Sequence, residues 1–93
     1  MHDIRYGLAT DREILKMIGQ RLEALRVDRG FTQSEAAHRA GLGRNTVFRA
    51  EQGRNPTLLT LVRLLRVHGR LAALENFIPP SEISPMARLE ARR

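Results

Sequence analysis

The sequence predicts an all-α domain, and three features of the chain favour this fold class. Apolar residues recur at the helical spacing of three and four in successive segments. Two capping boxes mark points at which helices begin, and glycines stand where those helices are expected to end. No segment alternates apolar and polar residues for long enough to form a strand. We therefore expect a five-helix domain over residues 10–78, between an extension over 1–9 and a short tail over 79–93.

The first helix is expected to begin at a capping box made by Thr10 and Glu13. In such a box the threonine hydroxyl and the glutamate carboxylate each accept a hydrogen bond from the other residue's backbone amide. An apolar stripe at helical spacing follows, made by Ile14, Ile18, Leu22 and Leu25. Gly30 is placed to end this helix in the left-handed conformation.

The next two helices are predicted to be short and close together. Thr32 and Glu35 form a second capping box, and a small apolar face of alanines then runs to Gly41. A further helical segment over 44–52 ends before Gly53. The turn between them, about three residues long, forces a steep crossing, and Ala37 and Gly41 provide the small contacts that close crossing needs. Residues 32–53 are therefore predicted to form a helix-turn-helix.

The third helix has one face to bury and one to present. Val47 and Ala50 form its inward, apolar face. The helical period leaves its outward positions free to meet a partner, and these are Arg44, Asn45, Phe48, Arg49 and Gln52.

Two more helices and a tail complete the predicted organisation. Thr57 is placed to cap a leucine-rich fourth helix that ends at Gly69. A fifth helix, over about 70–78, is indicated by Leu71, Leu74, Phe77 and Ile78, and two prolines follow it. In the tail, Ser84 and Pro85 are a plausible start for a short helix with only Met86 and Leu89 to bury. We expect this tail to be mobile unless a partner or a second subunit covers it.

Charge favours a nucleic-acid partner. The net charge is +6, and 15 of the 16 basic residues are arginine, the cation whose planar fork suits phosphate and guanine edges. Over residues 30–70 there are seven arginines against two acids, a local balance of +5. The excess of positive charge thus covers the predicted helix-turn-helix.

The same composition disfavours several other classes of protein. The absence of cysteine excludes disulfides, thiolate zinc sites and cysteine nucleophiles. His2, His38 and His68 are scattered without metal-ligand spacing, and the glycines at 41 and 43 fit a turn better than a dinucleotide site. We expect no enzyme, no catalytic residue, no metal and no cofactor. Without a secretory leader or a membrane span, cytoplasmic localisation is expected.

The segments TQSEAA and AGLGRNTVFRAEQG resemble the lambda-repressor-like, or Xre, helix-turn-helix family, and the likeness extends over about residues 17–69. The resemblance implies a five-helix domain whose third helix enters the major groove of double-stranded DNA. It also implies two subunits on a two-fold operator, and hence a transcriptional regulator.

The resemblance assigns roles residue by residue. It implies that Gln33 contacts a phosphate or a base edge at the start of the second helix. Arg44 and Asn45 fall where recognition helices touch bases, and their side chains suit guanine and adenine respectively. The alternative for each is a contact with phosphate only. Backbone phosphates are the expected partners of Thr46, Arg49, Arg54 and Asn55. Arg26 and Glu51 stand where many relatives have a salt bridge between the first and third helices.

Two positions depart from the family pattern. Gly43 replaces the serine or threonine that usually caps the recognition helix, a change expected to cost only a few tenths of a kcal/mol. Phe48 stands where a small or polar residue is common. We interpret it as an outward aromatic that contacts DNA, for example a thymine methyl, or packs in an interface. The alternative is that it folds back on Leu42 or on the flank of the helix.

Two hypotheses for partners remain open at this point. In the first, Leu71, Leu74 and Phe77 form a homodimer interface, because the last predicted helices carry more apolar residues than one small domain easily hides. In the second, the C-terminal segment resembles that of HipB-like antitoxins, which pair with a kinase toxin of the HipA type. The second hypothesis makes neutralisation of a protein the main function and DNA binding an autoregulatory one.

Overall fold

The computed structural model describes residues 7–82 and 85–92, and within them the fold is all-α, as predicted. The helices are α1 (Asp11–Asp28), α2 (Gln33–Ala40), α3 (Arg44–Glu51), α4 (Leu58–Val67), a 3-10 helix (Leu71–Glu75) and α5 (Pro85–Ala91). None of the helices in these residues is long and apolar enough to cross a bilayer. His2 and Ser84 lie outside the described residues.

Both predicted capping boxes are formed. The Thr10 hydroxyl accepts from the Glu13 amide at 3.1 Å, while the Thr10 amide donates to the Glu13 carboxylate at 3.0 Å. Thr32 and Glu35 repeat the arrangement at 3.1 and 2.9 Å. In each box the backbone hydrogen bond lowers the pKa of the glutamate below its ordinary value. The starts of α1 and α2 are therefore fixed by local sequence.

The core lies where α1, α2, α3 and α4 meet, and it is built largely from small side chains. Val47 and Leu64 are its largest fully buried members, at 0% and 1% exposure. The other members are Leu22, Ala37, Ala40 and Ala50. At the corner after α2, Gly41 adopts a φ of 67°, a conformation that costs glycine little. The alanines let the two short helices approach closely, so α3 has a fixed inward face.

Two glycines bring α1 into direct contact with the end of α3. A Cβ atom on Gly19 would lie 2.6 Å from the Glu51 carbonyl oxygen, and one on Gly53 would lie 2.7 Å from the Lys16 Cα. Gly53 also has a φ of 72°. Because no side chain separates the two backbones, α1 holds the C-terminal end of α3 in place.

The fifth helix predicted over 70–78 is instead the short 3-10 helix Leu71–Glu75. Arg70 provides no side-chain cap, and two prolines follow within the space of a helical turn, so an α-helix has neither a firm start nor room to extend. Phe77 and Ile78 are 53% and 77% exposed. The predicted tail helix does form as α5, beginning at Pro85.

Candidate nucleic-acid interface

The outward face of α3 is polar, basic and exposed. Val47 and Ala50 are buried, which fixes the rotation of the helix, while Arg44, Asn45 and Arg49 are exposed. Thr46 is half-buried. The N-cap residue, Gly43, makes no side-chain hydrogen bond to the helix. This arrangement offers hydrogen-bonding side chains to a partner without drawing on the core.

Phe48 shares this outward face and is 37% exposed. An aromatic ring that stays accessible at the centre of a polar helix face adds apolar contact area to whatever binds there. The structure places it beside the predicted DNA-contacting residues rather than in the core.

A buried ion pair ties α3 to α1. Arg26 Nε lies 2.7 Å from Glu51 Oε2, and their side chains are only 12% and 1% exposed. Arg26 also donates to the Glu51 Oε1 atom at 3.1 Å and to the Phe31 carbonyl at 2.7 Å. The hydrogen bond to Glu51 raises the pKa of Arg26 above its ordinary value. Charge-assisted bonds of this kind hold both helices and the loop before α2 in one register.

Gln33 joins the same network. Its Nε2 atom donates to Glu51 Oε1 at 3.1 Å, and the residue is half-buried at the first position of α2. Its side chain is therefore held against α3, in contrast to the solvated glutamine that a helix start would ordinarily show. An amide carries two donor hydrogens and one acceptor oxygen, so this bond leaves one donor and the oxygen for another partner.

Arg54 and Asn55 lie in the loop that follows α3. Both are exposed. The Arg54 amide donates to the Arg49 carbonyl at 3.0 Å, and Asn55 has a positive φ of 46°. The loop thus continues the basic surface beyond the end of α3 in a defined conformation.

His68 is buried near the network around Glu51, a placement that the sequence analysis did not predict. It is 4% exposed, and neither ring nitrogen has a hydrogen-bond partner within the described residues. Burial lowers its pKa below the ordinary value, partly countered by the negative charge of Glu51. Its ring centroid lies 6.5 Å from that of Phe31, over which the Arg39 guanidinium sits at 4.6 Å. The spacing in the sequence could have indicated its burial, because His68 follows Leu64 by four residues and so lies on the same face of the helix one turn later.

The residues proposed for protein contact form a separate apolar surface. Leu71 and Leu74 are half-buried, and Phe77 is exposed. A groove of about 500 Å³ lies along this segment. Its lining residues are Leu71, Ala72, Leu74, Glu75, Ile78 and Pro80. We call this surface the C-terminal groove.

Comparison with known proteins finds similarity to helix-turn-helix proteins. Residues 22–73, more than half of the chain, match a family model described as helix-turn-helix. The chain is also 34% identical over 71 residues to y4dJ of Sinorhizobium fredii, an uncharacterized HTH-type transcriptional regulator. That similarity covers 75% of this chain and 91% of the relative. The matched region includes α2, α3, α4 and the network around Glu51.

Proposed function

Since this chain belongs to the helix-turn-helix family, as the resemblance in its sequence predicted, we propose that it regulates transcription as a homodimer on a two-fold operator. The single observation that carries the proposal is the division of α3 into a buried apolar face and an exposed face with Arg44, Asn45 and Arg49. An α-helix fits the major groove, where each base pair presents its own pattern of donors and acceptors.

In this proposal, residues of α3, of the loop after it and of the start of α2 contact different parts of the DNA. Arg44 and Asn45, in the first turn, contact base edges, where a bidentate pair discriminates by about 1–3 kcal/mol. Thr46, Arg49, Arg54 and Asn55 bind backbone phosphates, and Gln33 uses its remaining amide hydrogen on a phosphate or base edge. Phe48 adds apolar contact at the same surface, a thymine methyl being the natural partner.

The test is a selection of bound duplexes from random DNA with the wild-type chain and with Arg44→Ala and Asn45→Ala. Each substitution is expected to relax preference at a defined base pair, by about 1–3 kcal/mol. Arg54→Ala is expected to weaken binding uniformly, and Arg66→Ala, an exposed arginine on α4, serves as the matched control. Unchanged base preferences in both α3 variants would contradict the proposed recognition.

The homodimer is proposed to form through the C-terminal groove, which Leu71 and Leu74 line, together with the exposed Phe77 beside it. Apolar area that stays exposed on a small domain is a common sign of an interface. A two-fold dimer places its recognition helices on half-sites about 10 base pairs apart, or a multiple of that. A footprint without two-fold symmetry, or sedimentation as a monomer when DNA is bound, would overturn this part of the proposal.

A second candidate function is supported by α5. This helix lies beyond the matched region and exposes Met86 and Leu89 at 66% and 54%. An antitoxin would use such a segment to hold a kinase toxin of the HipA type while the helix-turn-helix binds its own operon. Deletion of residues 79–93 should then retain operator binding and abolish inhibition of a kinase encoded beside it. Inhibition of the kinase by the chain that lacks residues 79–93 would overturn this candidate.

A further inference from the structure

A cleft between the first turn of α1 and the loop after α3 places Arg12, which the proposed recognition scheme leaves unused, beside Arg54 and Asn55, which that scheme already assigns to phosphates. Its volume is about 480 Å³. The residues that line it are Arg12, Leu15, Gln52, Gly53, Arg54 and Asn55. Arg12 and Arg54 come from different elements yet line one concavity, which gives the cleft two positive charges and the amides of Gln52 and Asn55.

Both guanidinium groups are free to bind a ligand. Arg12 and Arg54 are exposed, and neither takes part in an ion pair or side-chain hydrogen bond within the described residues. The neighbouring acids, Asp11 and Glu13, project about 100° away from Arg12 around the helix, and the Glu13 carboxylate is bonded to the Thr10 amide. Positive charge in the cleft is therefore left without a countercharge from its own helix turn.

The two walls of the cleft are held at a fixed separation. The missing side chain of Gly53 lets the loop backbone lie against α1, since a Cβ there would be 2.8 Å from the Leu15 carbonyl oxygen and 2.7 Å from the Lys16 Cα. The positive φ of Asn55 then turns the chain toward α4. The backbone at Arg12 thus keeps its position relative to the loop, so a ligand that spans both walls binds without ordering of the backbone.

We propose that this cleft binds a phosphodiester group of the DNA backbone, with Arg12 and Arg54 as its cationic ligands. The inference rests on the proposed function and extends it to a residue of α1. One wall of the cleft is the loop that directly follows α3, so the cleft lies next to the proposed recognition face. A planar guanidinium group with several donors is suited to phosphate oxygens. The phosphate bound here lies beside the base pairs contacted by α3 and fixes the angle at which that helix enters the groove.

The test measures the salt dependence of binding to a selected operator duplex for the wild type, Arg12→Gln and Arg21→Gln. Arg21 is an exposed arginine on the same helix, about 13 Å further along and about 180° around from Arg12. Loss of one phosphate contact is expected to lower the slope of log K against log salt by about 0.9 and to weaken binding about five- to tenfold at 0.1 M salt. Arg12→Gln should show both changes on operator and on random duplex, whereas Arg21→Gln should retain the wild-type slope. Thermal unfolding checks that each variant is folded.

The outcomes separate this inference from the proposed function. A wild-type slope for Arg12→Gln, with base preferences still lost in Asn45→Ala, would overturn the cleft alone. Equal losses in Arg12→Gln and Arg21→Gln would show general attraction and also overturn it. Saturable binding of inorganic phosphate by the wild type, with no slope change in Arg12→Gln, would assign the cleft to a free anion. Failure of the wild type to bind any duplex would overturn the proposed function, and the cleft assignment with it.

Discussion

The region Asp11–Val67 and the described residues of the C-terminal region, 71–82 and 85–92, differ in how far their apolar side chains are buried. In the first region, Leu22, Val47 and Leu64 are almost fully buried and Gly19 and Gly53 bring backbones together, although Val27, Leu58 and Leu59 stay exposed. In the second, no described side chain is buried, and Phe77, Ile78 and Met86 are more than half exposed. The contrast indicates that the first region contributes most of the folding free energy. The second region has exposed apolar area that can be buried when another protein chain binds.

The largest expected effect is on the buried ion pair of the first region. Glu51→Ala leaves the Arg26 charge buried without a partner and should lower the free energy of unfolding by about 3–5 kcal/mol. Urea denaturation measures the change. The double variant Arg26→Met/Glu51→Leu is the control, because it removes both charges and should lose less than the single variant. A loss under about 1 kcal/mol for Glu51→Ala would show that the pair does not support the fold.

A somewhat smaller loss is expected where α1 meets the end of α3. Gly19→Ala places a Cβ within 2.8 Å of three backbone atoms, and the resulting shift of α1 should lower the free energy of unfolding by about 1–3 kcal/mol. Gly7→Ala is the matched control, since no atom lies within 4 Å of that added carbon, and it should stay within about 0.5 kcal/mol of the wild type. Equal behaviour of the two variants would refute the close contact.

The third prediction concerns pH and His68. Its pKa is lowered in the folded state by burial, so the unfolded chain takes up a proton near the ordinary value of about 6.5 while the folded chain does not. Stability should therefore fall as the pH drops below about 6.5, by at most about 1.4 kcal/mol per pH unit. His68→Leu should flatten this dependence between pH 7.5 and 5.5 in urea unfolding. The exposed His38 provides the control variant, His38→Gln, which should keep the wild-type slope.

The smallest effect on folding is expected in the second region. Phe77→Ser/Ile78→Ser removes apolar groups that are already exposed, so the unfolding free energy of the dilute chain should change by less than about 0.5 kcal/mol. Self-association, followed by sedimentation equilibrium, should weaken at least about tenfold. A large loss of folding stability with no change in association would reverse the division between the two regions.

The elements that sequence reasoning predicted are those specified by local chemistry. The capping boxes at Thr10 and Thr32 and the glycine corner at Gly41 depend on residues a few positions apart, and all are present in the structure. The approach of Gly19 to Glu51 could not be predicted, because a glycine within a helix carries no sign of which backbone it meets. The hydrogen bond from Gln33 to Glu51 likewise depends on packing between helices.

In the C-terminal region, helical spacing in the sequence predicted an α-helix that the structure does not have. Leu71, Leu74, Phe77 and Ile78 have helical spacing, but periodicity stabilises an α-helix only when its apolar face is covered. With Phe77 and Ile78 exposed and two prolines next in the chain, the segment adopts a 3-10 turn instead. Of the candidate site, the outward face of α3 followed from its period, whereas the cleft beside Arg12 required the three-dimensional arrangement.

The carboxylate of Glu51 has a consequence for how this domain would meet an operator. It binds Arg26 of α1 and Gln33 of α2 while it belongs to α3 itself, so three helices are joined at one point. A recognition helix held in this way cannot tilt independently of the domain that carries it. The DNA, and not the helix, would then have to change shape when the two bind. Operators with easily bent base steps would be favoured, even at positions that no side chain touches.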